Sequence, residues 1–346
     1  MGVRLRDVAE HAGVSVKTVS NVVHGYVHVS PAMRQRVQHS LDELNYRPNL
    51  SARSLRRGRS GVIALALPAL DMPYFAELTR FVVEAAEQRG WTVLVDQTDG
   101  LREREQVVAA GVRSHLIDGL ILSPVALGVN ELTRSGDETP LVLLGEKIGG
   151  GQIDHVAIDN VAAARAATEH LLGLGRTRVA AIGYQAQPAS ASGVAALRRR
   201  GYEQTLASHG IVLDPRLTVE VDDYGRRDGA RAMDHLLAQD EPPDAVFCFN
   251  DLLALGALRT LAQHGIRVPD DVAVIGLDDI EDGRFSTPTL STVSPDKEQI
   301  AHRAVTMLHE RLEPASSPAA RDVRVGFELI ARESTLGPQQ EARPRG

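Results

Sequence analysis

Apolar positions in the first 45 residues recur at helical spacing. Leu5, Val8, Ala9 and Ala12 share one face of a short helix, which Gly13 breaks. Glycine tolerates the positive φ that a tight turn between helices needs. Ser15 is a good N-cap for a second helix carrying Val16, Val19, Val22 and Val23, and Gly25 can end it. Ser30-Pro31 supplies a cap and then a proline at the first position of a third helix. Val37, Leu41 and Leu44 line one face of that helix, with Asn45 near its end. Three short helices with a glycine turn between the first two make a helix-turn-helix unit.

From Gly61 the pattern changes to apolar runs alternating with amphipathic stretches. The runs Val62–Leu67, Trp91–Val95, Gly119–Leu122, Leu141–Leu144, Val179–Ile182, Ala245–Phe249 and Val272–Leu277 read as strands. Phe75–Arg89, Glu103–Ser114, Val161–Leu174, Arg199–His209, Arg227–Ala238 and Leu252–Gln263 read as helices. Repeated β-α alternation implies parallel sheets covered on both faces. Two such sheets in this length imply two similar lobes with a cleft between them.

Composition narrows the class. At 43% hydrophobic and 24% charged, the chain can bury a real core. The first seven residues carry charges where a signal peptide needs an apolar run, and no apolar stretch reaches the ~18 residues of a spanning helix. The single cysteine, Cys248, excludes an internal disulfide and a multi-Cys metal site. A soluble cytoplasmic protein, with no membrane partner, cofactor or metal, is the expectation. The net charge of −7 conceals an asymmetry: residues 1–60 carry ten Lys/Arg against four acids, so the head is +6 and the remainder −13. A basic head on an acidic body points to a polyanion partner for the head, and in a helix-turn-helix the second helix enters the DNA major groove.

Enzyme signatures are missing. The sequence has no Walker loop, Gly-x-Ser-x-Gly, His-Glu-x-x-His or Cys pair. Gly173-Leu174-Gly175 is an incomplete dinucleotide fingerprint, since Arg178 stands where the last glycine belongs. No catalytic residue is assigned. Open α/β sheets bind ligands beyond the carboxyl ends of their strands. The residues there are Met72-Pro73-Tyr74-Phe75, Gly145-Glu146, Asn250-Asp251 and Asp278-Asp279, with Arg198 opening a helix. Asn, Asp and Arg offer paired donors and acceptors that suit neighbouring hydroxyls, and Tyr74 or Phe75 can cover an apolar ring face. Each also has a plainer reading: Asn250 and Asp251 as helix caps, Asp278 as a turn residue.

The run Leu5-Arg6-Asp7-Val8-Ala9-Glu10-His11-Ala12-Gly13-Val14-Ser15 resembles the head of the LacI/GalR repressor family. So do Thr18-Val19-Ser20, Val29-Ser30, Leu44-Asn45-Tyr46 and Arg47-Pro48-Asn49, and the likeness runs on to about residue 337. The resemblance implies an all-α helix-turn-helix head (1–47), a hinge (48–60) and a two-lobed α/β domain with parallel sheets like a periplasmic binding protein (61–337), before a tail at 338–346. It places the N-lobe at about 61–158 and 291–320, and the C-lobe at about 159–290 and 321–337.

The resemblance also assigns roles. Val16, Lys17 and Asn21 sit where the family reads bases, and His28 where a His near the DNA is common. Relatives often carry Arg at the place of Asn21, so no relative's operator transfers. Lys can donate to guanine and Asn can bond adenine at two points, while Val16 can pack on a thymine methyl. Ser15, Thr18 and Ser20 are expected on phosphates. The hinge, with Ala52, Arg53, Leu55 and Arg56, is too short to be a stable helix alone. In the family it folds on the operator, and a Leu at the place of Leu55 wedges into the minor groove. Phe75, Arg198, Asn250 and Asp278 match the family's effector pocket, with Tyr74, Tyr224 and Glu146 beside them. Arg199, Arg200 and Lys297 are expected to serve solvent or an interface, although Lys297, following Pro295-Asp296 near a lobe crossing, could reach the cleft.

The expected protein is thus a homodimeric repressor of carbohydrate uptake or catabolism genes, bound to a palindromic double-stranded operator and controlled by a small sugar. One alternative is a non-sugar effector such as a purine or nucleoside. Another is a sugar-binding transport protein, which the basic head and the charged N-terminus disfavour.

Overall fold

The computed structural model describes residues 3–23, 26, 28–46, 59–111, 115–133, 139–145, 152–185, 193–313 and 319–338. The chain divides into two compact units, Met1–Ser60 and Gly61–Gly346.

The first unit packs α1 (Leu5–Ala12), α2 (Val16–Val23) and α3 (Pro31–Glu43) around Val8, Ala9, Ala12, Val19, Val22 and Val37. Gly13 closes α1 in the left-handed conformation, φ 64° and ψ 39°, where a side chain would be strained. The amide of Thr18 donates to Ser15 Oγ (3.1 Å) and that of Met33 to Ser30 Oγ (3.3 Å), so both serines cap the helices they precede. Arg34 donates to the Tyr26 carbonyl (2.8 Å), tying α3 to the segment before it.

Among the described residues, the second unit holds two six-stranded sheets. The first runs in the order β11-β5-β4-β3-β1-β2, where β1 is Val62–Leu67, β2 Thr92–Gln97, β3 Gly119–Leu122, β4 Leu141–Leu144, β5 Asp154–Ile158 and β11 Asp322–Val325. All its pairings are parallel. The second runs β12-β10-β9-β8-β6-β7, where β6 is Val179–Tyr184, β7 Thr218–Glu220, β8 Ala245–Cys248, β9 Ala273–Leu277, β10 Ser291–Pro295 and β12 Phe327–Ile330. It is parallel except for β12, which runs against β10. Each lobe therefore repeats one winding, 2-1-3-4-5 and 7-6-8-9-10, with one strand added at the far edge. Their central strands are buried on both faces, which is why β1, β3 and β6 are nearly all apolar.

The order of strands corrects the expected lobe crossings. The crossing near 159 falls between β5 and the helix Asn160–Gly173. The other two lie about five residues later than expected. Ser291–Pro295 belongs to the second sheet, and the chain crosses at Asp296 into the helix Lys297–Leu312, which packs on the first sheet. Asp322–Val325 pairs with β5 in the first sheet, and the last crossing is at Gly326. The expected C-lobe start at 321 is thus displaced. β10 hides in the sequence because its Ser291 and Thr292 are polar yet fully buried, their hydroxyls bonded to Thr335 and Asp251. Gly183, φ 131°, sits at a bulge in β6 where an added Cβ would lie 2.4 Å from Phe249 Cβ, so no larger residue fits.

Candidate functional site

On the head, α2 presents one face to solvent. Val16 is 44% exposed, and Lys17 beside it is exposed. Asn21, Thr18 and Ser20 are half-buried, and His28 is exposed with its ring 6.3 Å from that of Tyr26. Ser15 is exposed, and its hydroxyl also bonds that of Thr18 (2.8 Å). The hinge residues Ala52, Arg53, Leu55 and Arg56 lie outside the described residues, as does Glu146.

The carboxyl ends of the two sheets face one another across a cleft of about 610 Å³. Its walls come from the ends of β1 and β3 (Pro68, Ser123, Ala126) in one lobe and of β8 and β9 (Asn250, Asp278) in the other. This is the position that parallel α/β sheets leave for ligands. Tyr74, Phe75, Arg198, Tyr224, Asn250 and Asp278 all line it. Tyr74 and Phe75, opening the helix Pro73–Glu87, meet edge to face at 5.2 Å.

The floor is charged and buried. Arg198 and Asp278 are each 8% exposed, with guanidinium and carboxylate 3.9 Å apart. Arg198 is pinned by donating to Asn160 Oδ1 (2.7 Å) and to the Phe249 carbonyl. Asp278 stands at φ 120° and Asp279 at φ 48°, so β9 ends in a sharp, sterically costly turn. Burial pushes the Asp278 carboxyl up to about 6, against the opposing pull of Arg198 and Lys297. Asp251, behind it, is pushed up to about 7 by burial and by Asp278; it accepts from Thr292 Oγ1 (2.7 Å) and the Ile280 amide (2.9 Å). For Asp279, burial is outweighed by Arg332 (2.6 Å) and Arg284 (2.7 Å), which hold it below its ordinary value.

Asn250 is both a helix cap and a cleft residue. Its Oδ1 caps the helix Asp251–Gln263 by accepting from Leu253 (2.9 Å), and its Nδ2 donates to the Tyr224 carbonyl (3.0 Å), while it still borders the cleft. Tyr224 donates its hydroxyl to the Gly183 carbonyl (2.7 Å). Lys297 is not a solvent residue. It is 8% exposed, and its ammonium bonds the Asp278 and Asp279 carbonyls and pairs with Glu77. Residues overlooked in the sequence also line the cleft: Asn160, Asp222, Asp223, Ser123, Gln185 and Asp99. Asn160 lies two residues beyond the end of β5 and Asp222-Asp223 follow β7, so the strand-end rule would have found them had those strands been recognised.

A helix-turn-helix head and a two-lobed parallel α/β domain with a polar cleft define a ligand-responsive DNA-binding regulator. Comparison with known proteins agrees. Residues 4–49 match the model of bacterial regulatory proteins of the lacI family, and residues 168–335 that of the periplasmic binding protein-like domain. The chain is 31% identical over 343 residues to the HTH-type transcriptional repressor PurR of Erwinia tasmaniensis, covering 98% of this chain and 99% of the relative. Among solved structures, a LacI-family transcriptional regulator from Sanguibacter keddieii is 47% identical, with TM-score 0.73 over 81% of this chain and all of that one. The lac repressor dimer bound to operator and the anti-inducer ONPF is 27% identical, with TM-score 0.84 over 97% of this chain and all of that one. A complex of the regulator CelR with cellobiose is 30% identical, with TM-score 0.69 over 96% of this chain and 99% of that one. The chain belongs to the lacI family of bacterial regulatory proteins and is a DNA-binding transcriptional regulator. Among the described residues, no helix is long and apolar enough to cross a membrane.

Proposed function

We propose that this protein is a repressor that acts on DNA inside the cell. It binds a palindromic operator as a homodimer and responds to a small sugar-like ligand in the inter-lobe cleft. The observation that carries the ligand reading is the buried Arg198–Asp278 pair at the cleft floor. Two buried ionisable groups facing open space are costly unless something polar completes their hydrogen bonds. A hydroxyl-rich molecule does so, with the aromatic rings of Tyr74, Phe75 and Tyr224 against its apolar faces.

On the DNA side, Val16, Lys17, Asn21 and His28 read bases, and Ser15, Thr18 and Ser20 hold phosphates. One short helix reads too few bases alone, so a two-fold pair reads two half-sites. The hinge residues Ala52, Arg53, Leu55 and Arg56 enter the minor groove between them. Glu146 joins the effector contacts. The lac repressor dimer on its operator and the CelR–cellobiose complex support this reading. The regulated genes are then those of carbohydrate uptake or catabolism.

A thermal-shift screen of sugars on the purified protein tests the effector, since a bound ligand raises stability by mass action. A stabilising sugar that also changes operator affinity supports the proposal. The screen also carries purines and nucleosides, because the edge-to-face Tyr74–Phe75 pair and Tyr224 form walls that would stack on a flat ring. Stabilisation by those alone replaces the sugar reading with the nucleobase one.

A further inference from the structure

We infer that the effector is uncharged and unphosphorylated, and that Asp222 and Asp223, with Asp99, form an acidic rim that turns phosphorylated sugars away. The inference deepens the effector reading above and rests on it. Asp99 follows β2 and Asp222-Asp223 follow β7. Each of these strands is the outermost of its sheet on the corresponding side, so the two loops occupy equivalent places in the two lobes, and both border the cleft.

Asp222 and Asp223 are exposed, and among the described residues neither has a hydrogen-bond or ion-pair partner. Among the described residues, nothing neutralises their charges. Asp99 is partly neutralised by Arg104. Among the described residues, the cleft's cations are already engaged. Arg198 serves Asn160, the Phe249 carbonyl and Asp278, and Arg102 serves Glu131 and the Ala126 carbonyl (3.0 Å). Neither offers an unshared fork to a phosphate. The buried Asp278 carboxylate, in turn, receives no hydrogen bond from any described residue, although it is 8% exposed and borders the cleft. It is an acceptor awaiting a donor, which a hydroxyl is and a phosphate dianion is not. A phosphate adds close to two negative charges beside these carboxylates and is repelled both on approach and when bound.

The test uses full-length protein at pH 7.5 and matched pairs: glucose and glucose 6-phosphate, sucrose and sucrose 6-phosphate, trehalose and trehalose 6-phosphate. Calorimetry should give, for any sugar that binds, a phosphate at least about tenfold weaker. The double variant Asp222→Asn/Asp223→Asn should narrow that gap to about threefold or less, while unchanged operator affinity without ligand reports an intact fold. A phosphate bound as tightly as its parent sugar, or a gap the double variant leaves untouched, overturns the acidic rim alone. Binding of no member of any pair overturns the sugar reading together with it.

Discussion

Lys297 Nζ lies 2.5 Å from a Glu77 carboxylate oxygen and donates to the carbonyls of Asp278 (2.7 Å) and Asp279 (3.0 Å). Glu77 stands on the helix Pro73–Glu87 of the first lobe, whereas the two carbonyls end β9 in the second. One buried ammonium therefore ties the lobes together on the same stretch of backbone that carries the cleft carboxylate. A ligand bonded to Asp278 would pull on this junction, and a preference for one lobe angle over another would shift the equilibrium between them. Lys297→Met should leave two carbonyls and a carboxylate short of a donor, at a cost of about 2–4 kcal/mol. Denaturant unfolding measures this; a midpoint within error of the parent would show that the junction is held by other contacts.

Arg198→Ala should abolish the ligand-induced rise in Tm and leave operator affinity in the absence of ligand intact. It also strips Asn160 and the Phe249 carbonyl of a donor, so the unliganded protein should lose about 1–3 kcal/mol. Arg198→Lys should not restore ligand binding, because a single ammonium cannot serve three separated acceptors as a planar fork does. Calorimetry with any sugar that binds the parent decides this, and unchanged affinity in the alanine variant would remove Arg198 from the site.

Two opposite pH effects are expected. The Asp278 and Asp251 carboxyls, at about 6 and 7, hold protons more tightly folded than unfolded. Their contribution to stability is full below the ordinary carboxylate value of 3.8 and is lost as pH rises through 6 and 7. Asp154, bonded by Arg311 and Arg321, and Asp279 are held low, so their contribution is present above 3.8 and is lost as pH falls through their lowered values. Asp251→Asn should flatten the stability profile between pH 4 and 7 and raise stability at pH 8 by on the order of 2 kcal/mol. A profile as steep as the parent's would contradict the assignment.

Ligand affinity should show its own pH dependence. As a ligand acceptor Asp278 would be far stronger ionised than protonated, so affinity should fall as pH drops below about 6. In Asp278→Asn whatever affinity remains should be flat across that range. Titration calorimetry from pH 5 to 8 on both proteins checks it, and parallel profiles would exclude Asp278 as the acceptor.

Lys17→Ala should relax operator discrimination at one symmetric pair of positions, costing about 1–3 kcal/mol per lost contact. Arg34→Ala should weaken all sequences alike, since Arg34 bonds the Tyr26 carbonyl and lies off α2. Leu55→Ala should lower specific binding far more than non-specific binding and reduce the bend of the operator. Binding-site selection and electrophoretic bending assays separate the three, and an identical preferred sequence and bend in all of them would leave the head and hinge assignments without support.

Local chemistry made the head legible from residue order alone. Gly13, the Ser15 and Ser30 caps and the apolar faces of three helices act within a few residues of themselves, so spacing suffices to place them. The same holds for β1, β3 and β4, whose apolar runs are buried on both faces, and for Asn250 and Asp278, which follow such runs directly. β5 and β10 were hidden because the polar residues that mask them find partners far along the chain. Asp154 needs Arg311 and Arg321, His155 needs Asp322, and Ser291 needs Ser334 and Thr335. Until those pairs form, such positions look like surface. For the same reason only the tertiary structure could put the crossings at Asp296 and Gly326, bury Lys297 between the lobes, and bring Asn160, Asp222 and Asp223 to the cleft. Each depends on which strands lie side by side, and the pairing of β5 with β11 and the Asp154–Arg311 bond join segments more than a hundred residues apart, which no local pattern records.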